Sequence, residues 1–488
     1  MTQAALTSPS NDAGRQRWRI HERSLPIFWL LLSALYLGWL AVFWPGVLGE
    51  DSAAVLMEVD TEGRSSSGKT AFWYYFLKAT YGTTHRVEVP IALLMLLCAF
   101  LFARMLSWYW DAQRRRLLCV FLLVFICAAP HMVYFIGTLY PDAIFAVSST
   151  ALLFEIWIVC NTRRAGWLSC GVFFTALPFA VFARPNGILF LLPAVIALAF
   201  VQGKGRHVLA AIIGLWCIVI FGSTRIHTSQ SQSAVHSLVL FETVKLMQPR
   251  AMNEFWAQMP DMNDPWVLRK PKLSPRTLEI LEGYRPRELL RAYSDPVYWD
   301  MLVFHPSGPQ LLGLPAPQTE ELTHEFLRYN LWHNLPDIAA SRVNVFLAAA
   351  LAQGGFPALD YAPYVLNRVR TNSTFRRFGL NELEQVLRKI HRSSHEWRWL
   401  FWTPWLGIGL LIGAFRKSAN RKDVPALLIC VCALLQLTGI YLFASAAEYR
   451  YLLPLFTLPL TLIPVLIQFG DRKSRITPRQ TGNPLANE

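Results

Sequence analysis

Long apolar runs recur along this chain, and every second connection between them is basic. The runs fall at roughly 25–44, 89–109, 117–135, 143–159, 166–183, 187–202, 207–222, 399–415, 424–446 and 451–469. The basic connections carry Arg15, Arg17, Arg19 and Arg23; Arg114, Arg115 and Arg116; Arg163 and Arg164; Lys204 and Arg206; Arg416, Lys417, Arg421 and Lys422; and Arg472, Lys473 and Arg475. The connections 47–88, 136–142, 184–186, 223–398 and 447–450 alternate with them. A helix needs about 20 apolar residues to cross a hydrocarbon core of about 30 Å, and Lys and Arg gather on the cytoplasmic side. The unbroken phase predicts an all-α polytopic membrane protein with about ten transmembrane helices. Both termini are expected in the cytoplasm, with the alternate connections facing outward.

Composition agrees. Charged residues make up 16% of the chain and hydrophobic ones 53%, whereas a soluble domain carries about 25% charge. Eighteen Trp and thirty-one Phe suit aromatic belts at bilayer interfaces. A net charge of +14 raises the question of a nucleic-acid partner, but its placement at alternate connections accounts for it, so none is expected. All eight cysteines lie inside apolar runs and none between Gly222 and Arg398. No disulfide framework or zinc cluster is therefore indicated in the long polar segment. The first run opens near Leu25 behind a basic leader and lacks a small-x-small cleavage pattern, so it is expected to be a retained anchor.

The expected organisation is a cytoplasmic tail (1–24), a membrane module (25–222) whose first outer loop is 47–88, an extracytoplasmic domain (223–398), C-terminal membrane helices (399–469) and a cytoplasmic tail (470–488). The extracytoplasmic domain reads as mainly helical. Ser274-Pro275 is an N-cap followed by proline at the first helical position, and Leu380 to His391 is amphipathic. Ser341 to Gln353 is apolar but too short to span, which fits an interfacial or buried helix.

The stretch EDSAAVLMEVDTEGRSSSGKT, Glu50 to Thr70, holds two motifs that point to different chemistry. Its tail matches the phosphate-cradling pattern G-x-x-x-x-G-K-[ST], but that loop requires a buried strand before it and a parallel sheet beneath it. Neither is predicted here, and the stretch faces outward. A polar loop is expected instead, with contact between Lys69 and a lipid phosphate as an alternative. Its head, Glu50-Asp51, follows the first run and opens an amphipathic outer-face helix. An acid in the first turn is held ionised by the helix dipole. That suits a base, and it equally suits an N-cap acid without chemistry.

Other outward turns carry ionisable residues that topology does not need. TLYPDAIF places Asp142, FARPNGILF places Arg184, and AAEYRYLLP places Glu448, Tyr449, Arg450 and Tyr451. Arginine is disfavoured on the outer side, so Arg184 and Arg450 require a partner. That partner is either an acid such as Asp142 or Glu448, or an anionic group at the membrane surface, since guanidinium suits phosphate. Glu155 falls within the fourth run and is expected to face the bundle.

Together these features resemble the GT-C superfamily of membrane glycosyltransferases, which includes protein O-mannosyltransferases, aminoarabinose transferases and oligosaccharyltransferase catalytic subunits. In that family an acidic pair follows the first span, as Glu50-Asp51 does, and interfacial helices follow, as Phe72 to Tyr81 could supply. A second acid often sits in the next outer loop, where Asp142 lies. The resemblance covers about residues 25–222 and 399–469; the domain at 223–398 has no counterpart in it. It implies a bacterial inner-membrane enzyme moving a sugar from a polyprenyl-phosphate donor to a glycan, lipid or protein acceptor. Asp51 would be the base and Glu50 its helper. Asp142 would orient the acceptor or assist a divalent cation (Mg or Mn) shared with Asp51. Arg184 and Arg450, with Glu448, Tyr449 and Lys69 nearby, would hold the donor. Two other classes compete. A transporter or flippase of lipid-linked sugars should show midplane charges and broken helices, and an O-antigen polymerase or ligase would draw on His324, His333 and His391.

Overall fold

An apolar run in a bilayer must satisfy its backbone internally, and a helix does so without help from side chains. In the computed structural model, which describes residues 23–65, 67–112, 115–226, 234–248, 271–292, 299–303, 305–356 and 358–474, the runs are helical. No strand occurs among the described residues. In chain order the helices that matter here are α1 (Leu25–Val42), α2 (Glu50–Asp60), α3 (Ala71–Thr84), α4 (Glu88–Ser107), α5 (Arg116–Leu122), α6 (Pro130–Ile136), α7 (Pro141–Thr162), α8 (Trp167–Phe182), α9 (Leu191–Phe200) and α10 (Lys204–Ile226). They continue with α11 (Ala234–Met247), α12 (Pro275–Tyr284), α13 (Leu335–Ala350), α14 (Ala362–Arg368), α15 (Asn381–Glu396), α16 (Trp405–Arg421), α17 (Val424–Phe443) and α18 (Pro459–Ser474).

Six described helices are long and apolar enough to cross a membrane, where about ten were expected. They are α1, α4 with its extension to Asp111, α7, α10, α17 and the stretch Tyr449–Ile467. The expected span 117–135 is not continuous. Arg116–Cys127 and α6 form a pair bent by 56°. The break has a local cause: proline disfavours the helical region for the residue before it, and Ala129, ahead of Pro130, sits at ψ 134. The expected spans at 166–183 and 187–202 are the shorter apolar helices Trp167–Phe182 and Pro185–Phe200. The span expected at 399–415 corresponds to α16, which starts later, at Trp405, and is not among the six. Arg15, Arg17, Arg19, Arg114 and Arg475, and most of both tails, lie outside the described residues.

The core centres on α7, whose apolar window is buried throughout. Glu155 on this helix pairs with Arg104 of α4 at 3.1 Å and accepts from the Ser169 hydroxyl at 2.5 Å. A charge at such depth persists only when paired. The acid expected to face the bundle does so, and its cation went unremarked in the sequence.

The segment between α10 and α16 lies against one end of the bundle. Arg342 of α13 makes a buried pair with Glu242 of α11 and also donates to the carbonyl of Ala444, at the end of α17. The amide of Tyr449 donates to Gly354 at 3.0 Å, and that of Arg376 to Trp44 at 3.0 Å. Gly355 adopts φ +82 and packs on Glu448, where a Cβ would fall 2.8 Å from that residue's own. Ser373 caps the start of α4, accepting from the Val87 amide at 2.8 Å and donating to Glu88 at 2.5 Å.

Candidate functional site

The end of the bundle under this segment collects the C-terminus of α1, the N-terminus of α7, the turn after α8 and the turn after α17. Contacts between Asp51 and Arg450, between Arg184 and Asp142, and between Arg184 and Tyr451 bring these ends together. Basic Arg163 lies at the opposite end of α7, where its carbonyl accepts from the Gln202 amide at 3.0 Å.

Helix α2 starts at Glu50 because Gly49 supplies an extended N-cap (φ −135, ψ −172), with Ser52 reaching back to the Gly49 amide at 3.4 Å. Any side chain at Gly49 would collide with the hydroxyl of Tyr140. Glu50 and Asp51 therefore occupy the first turn, beside Tyr140, with Val55, Leu56 and Val59 buried below them. Burying each such side chain stabilises by about 1.5–3 kcal/mol relative to exposure in water.

Asp51 accepts from Arg450 and pairs with Lys69 at 2.9 Å. Arg450 also donates to Glu448, and its guanidinium lies 5.0 Å from the Tyr140 ring centre and 5.7 Å from that of Tyr451. Arg184 sits over the other side of this group, 4.7 Å from the Tyr451 ring centre, and pairs with Asp142. Asp142 opens α7 behind Pro141, where the positive helix end favours its charge, and its side chain is only 3% exposed. Asp51, Lys69, Arg450 and Glu448 thus form one connected ionic network, with Arg184 and Asp142 joined to it through Tyr451.

Burial is the largest effect on Asp51 and acts to raise its pKa, but Arg450 and Lys69 together outweigh it. The carboxyl is held well below the ordinary carboxylate range. Burial lowers the Lys69 pKa, the Asp51 charge raises it, and Arg450 lowers it again; the net displacement is downward.

Lys69 is therefore not part of a nucleotide loop. A helix precedes its loop instead of a strand, and Thr70 caps α3 by accepting from the Trp73 amide at 3.4 Å. The loop folds back on α2, with the Ser67 amide donating to Glu58 at 3.3 Å; Ser66 lies outside the described residues. The interfacial helix expected at Phe72 to Tyr81 is α3, which buries Phe72, Trp73, Leu77 and Tyr81.

Two residues singled out in the sequence sit apart from this network. Glu50 faces the segment beyond α10: the Tyr361 hydroxyl donates to its carboxylate, and Arg368 lies 3.6 Å away. Tyr449 is fully buried, with its hydroxyl 3.2 Å from His131 Nε2. His131 in turn stacks on Trp402 at 4.7 Å, and Trp402 lies 5.1 Å from His391. Burial pushes the His391 pKa down to about 4. His333 instead stacks on Tyr329 at 3.9 Å, and His324 is exposed beside Glu325.

Sequence reasoning missed Tyr361 and Arg368 altogether, and no local pattern marks them. Tyr140 is different. It stands directly before Pro141-Asp142, within a turn already suspect.

Among the described residues no three His, Cys, Asp or Glu side chains are placed to share a metal ion. Asp51 and Asp142 are each turned onto basic groups, so the donor set does not fit a divalent cation held between them. Compared with protein-family models, curated proteins and solved structures, the chain matches none.

Proposed function

We propose that the chain is a GT-C-type membrane glycosyltransferase that moves a sugar from a polyprenyl-phosphate donor to an acceptor outside a bacterial inner membrane. In this proposal the shorter apolar helices complete about ten crossings, and both termini are cytoplasmic. One observation carries the reading. An acid in the first turn after the first span meets Lys69, Arg450 and the Arg184–Asp142 pair at a single bundle end.

The chemistry needs a base for the acceptor hydroxyl and positive charge for the departing lipid phosphate. Asp51 is the base, with Glu50 helping on its acceptor side. In the resting protein Arg450 and Lys69 hold Asp51 ionised and weakly basic. A donor phosphate competes for the same two cations. As they turn to the phosphate, Asp51 loses opposing charge and becomes a stronger base just where the acceptor arrives. Arg184 and Asp142 frame the far side, and Tyr140 and Tyr451 fix the guanidinium planes. Arg450, Lys69 and Arg184 take the electrostatic part that a metal would otherwise play.

The test is transfer of label from polyprenyl-phosphate sugars in membranes containing the protein. Asp51→Asn preserves size and is expected to lower transfer by about 10²-fold or more while the protein stays folded. Full transfer by that variant would sink the assignment.

A transporter of lipid-linked sugars is the second reading. It is favoured by the buried Arg104–Glu155 pair and by the broken helix ending at α6. Glu155 lies roughly 20 Å along α7 from Asp142, at 1.5 Å per residue. Movement of an intact labelled donor between leaflets, without covalent transfer, would favour that reading.

A further inference from the structure

Arg368 belongs to two neighbourhoods at once. It sits beside Glu50, and its guanidinium takes the Tyr364 hydroxyl as acceptor at 3.0 Å. It also lines a cavity of about 220 Å³ together with Met57, Asp60, Thr61, Ser65 and Arg370. The cavity lies between the C-terminal end of α2 and the end of α14. Asp51 faces the ionic network, and Glu50, at the other end of α2, meets the cavity only through the Arg368 side chain.

The walls are fixed independently of their charged tips. Asp60 accepts from the Tyr81 hydroxyl at 3.0 Å and from the backbone amide of Arg370 at 2.7 Å. The Thr61 and Ser65 hydroxyls are hydrogen-bonded to each other at 2.8 Å. Against this frame Arg368 and Arg370 are exposed residues, with the Arg368 guanidinium 5.0 Å from the Tyr364 ring centre. Next to them Tyr361 and Tyr364 pair at 4.7 Å between ring centres, with Tyr364 47% exposed. An exposed tyrosine offers an apolar face and a polar tip, which suits the C–H face of a sugar ring. Two guanidiniums suit an oxyanion. The volume is below the roughly 300–1,000 Å³ of drug-sized sites, which favours a single ring over a long chain.

We propose that this cleft binds an anionic sugar unit, a uronate or a sugar phosphate, and that this unit belongs to the acceptor. Only the word acceptor rests on the transferase reading. The unit's oxyanion meets Arg368 and Arg370, its ring packs at the exposed edge of Tyr364, and Arg368 links it to Glu50 beside Asp51.

The experiment uses the full chain in lipid nanodiscs, without donor. Its probes are trigalacturonate, a hexose phosphate, a neutral trisaccharide and inorganic phosphate. At least one charged sugar is expected to bind about tenfold or more tightly than the neutral one, the margin of a charge-assisted pair. Arg368→Ala with Arg370→Ala should remove that margin, and Tyr364→Ala should weaken the charged sugars more than inorganic phosphate. Preference for trigalacturonate identifies a carboxylate, and preference for the hexose phosphate identifies a phosphate. Replacing both arginines by lysine checks folding and should retain part of the preference. Equal binding of charged and neutral sugars, no charged-sugar binding, inorganic phosphate binding as tightly as the sugars, or an unchanged preference in the double alanine variant would overturn the proposal. Asp51→Asn is expected to bind the probes normally. Normal binding alongside failed transfer assays would therefore remove the transferase reading and leave the cleft standing.

Discussion

Glu50 and Asp51 are neighbours in the chain and differ by one methylene, yet the structure gives them opposite surroundings. Asp51 lies inward, 27% exposed, between an arginine from the turn after α17 and a lysine from the loop before α3. Glu50 lies outward, 49% exposed, against a tyrosine and a loosely held arginine from α14. Successive helical positions differ by about 100°, so an adjacent pair at a helix start addresses two regions at once. The contrast shows that an acidic dyad is not one functional unit here. One member meets a charge-dense end of the bundle, and the other meets the more exposed Tyr361 and Arg368.

The contrast can be broken most severely on the inner side. Arg450→Lys keeps the charge but loses the fork that spans Asp51 and Glu448, and transfer is expected to fall by about 10²-fold, as when one preorganised donor is removed. Steady-state rates with labelled donor measure this, and a change of less than threefold or so would show that the fork is dispensable. Next comes Gly49→Ala. It touches no charge, but it pushes Tyr140 away from the start of α2 and with it the support under Arg450. A loss of about tenfold or more in rate is expected, since small misplacements are costly, and Tyr140→Phe, which removes the colliding hydroxyl, should partly rescue it.

A smaller effect belongs to the outer side. Glu50→Gln is expected to raise the acceptor KM a few-fold and leave kcat nearly unchanged, the signature of lost uniform binding. An equal fall in kcat would move Glu50 into the inner network. The smallest effect is a predicted flatness with pH. The Asp51 pKa is depressed in the fold, so the stabilisation from its pairs is fully present above the ordinary aspartate value of about 3.9 and lost only below it. Membrane-reconstituted protein should therefore show no Asp51-dependent loss of thermal stability between pH 5 and 7, judged against Asp51→Asn across the same range.

The helices themselves were largely legible from local signals. Ser274 caps α12, its hydroxyl accepting from the Thr277 amide at 3.1 Å, as Ser-Pro before a helix predicts. The amphipathic piece around Leu380 to His391 became α15, and the apolar piece from Ser341 became the end of α13, which stops at Ala350. The site was legible only as a set of suspects. Asp51 and Arg450 are 399 positions apart, and Glu50 and Tyr361 are 311 apart. Nothing local records such a pairing. The same limit hid Arg104 behind Glu155, because a single arginine near the end of an apolar run looks like a topological marker.

Hydrophobic runs, proline positions and capping residues act within a few residues of themselves. For that reason the sequence alone determined the helical character of the described residues and the start of α2 at Glu50, whereas the break before Pro130, local in cause, was not expected. Which charge meets which acid depends on how separate helices pack and where their ends come level. Only the tertiary structure could turn Asp51 toward Arg450 and Lys69 while leaving Glu50 to Tyr361 and Arg368. An ion pair is short-ranged and selective, and its partners are chosen by packing that no single stretch of chain contains.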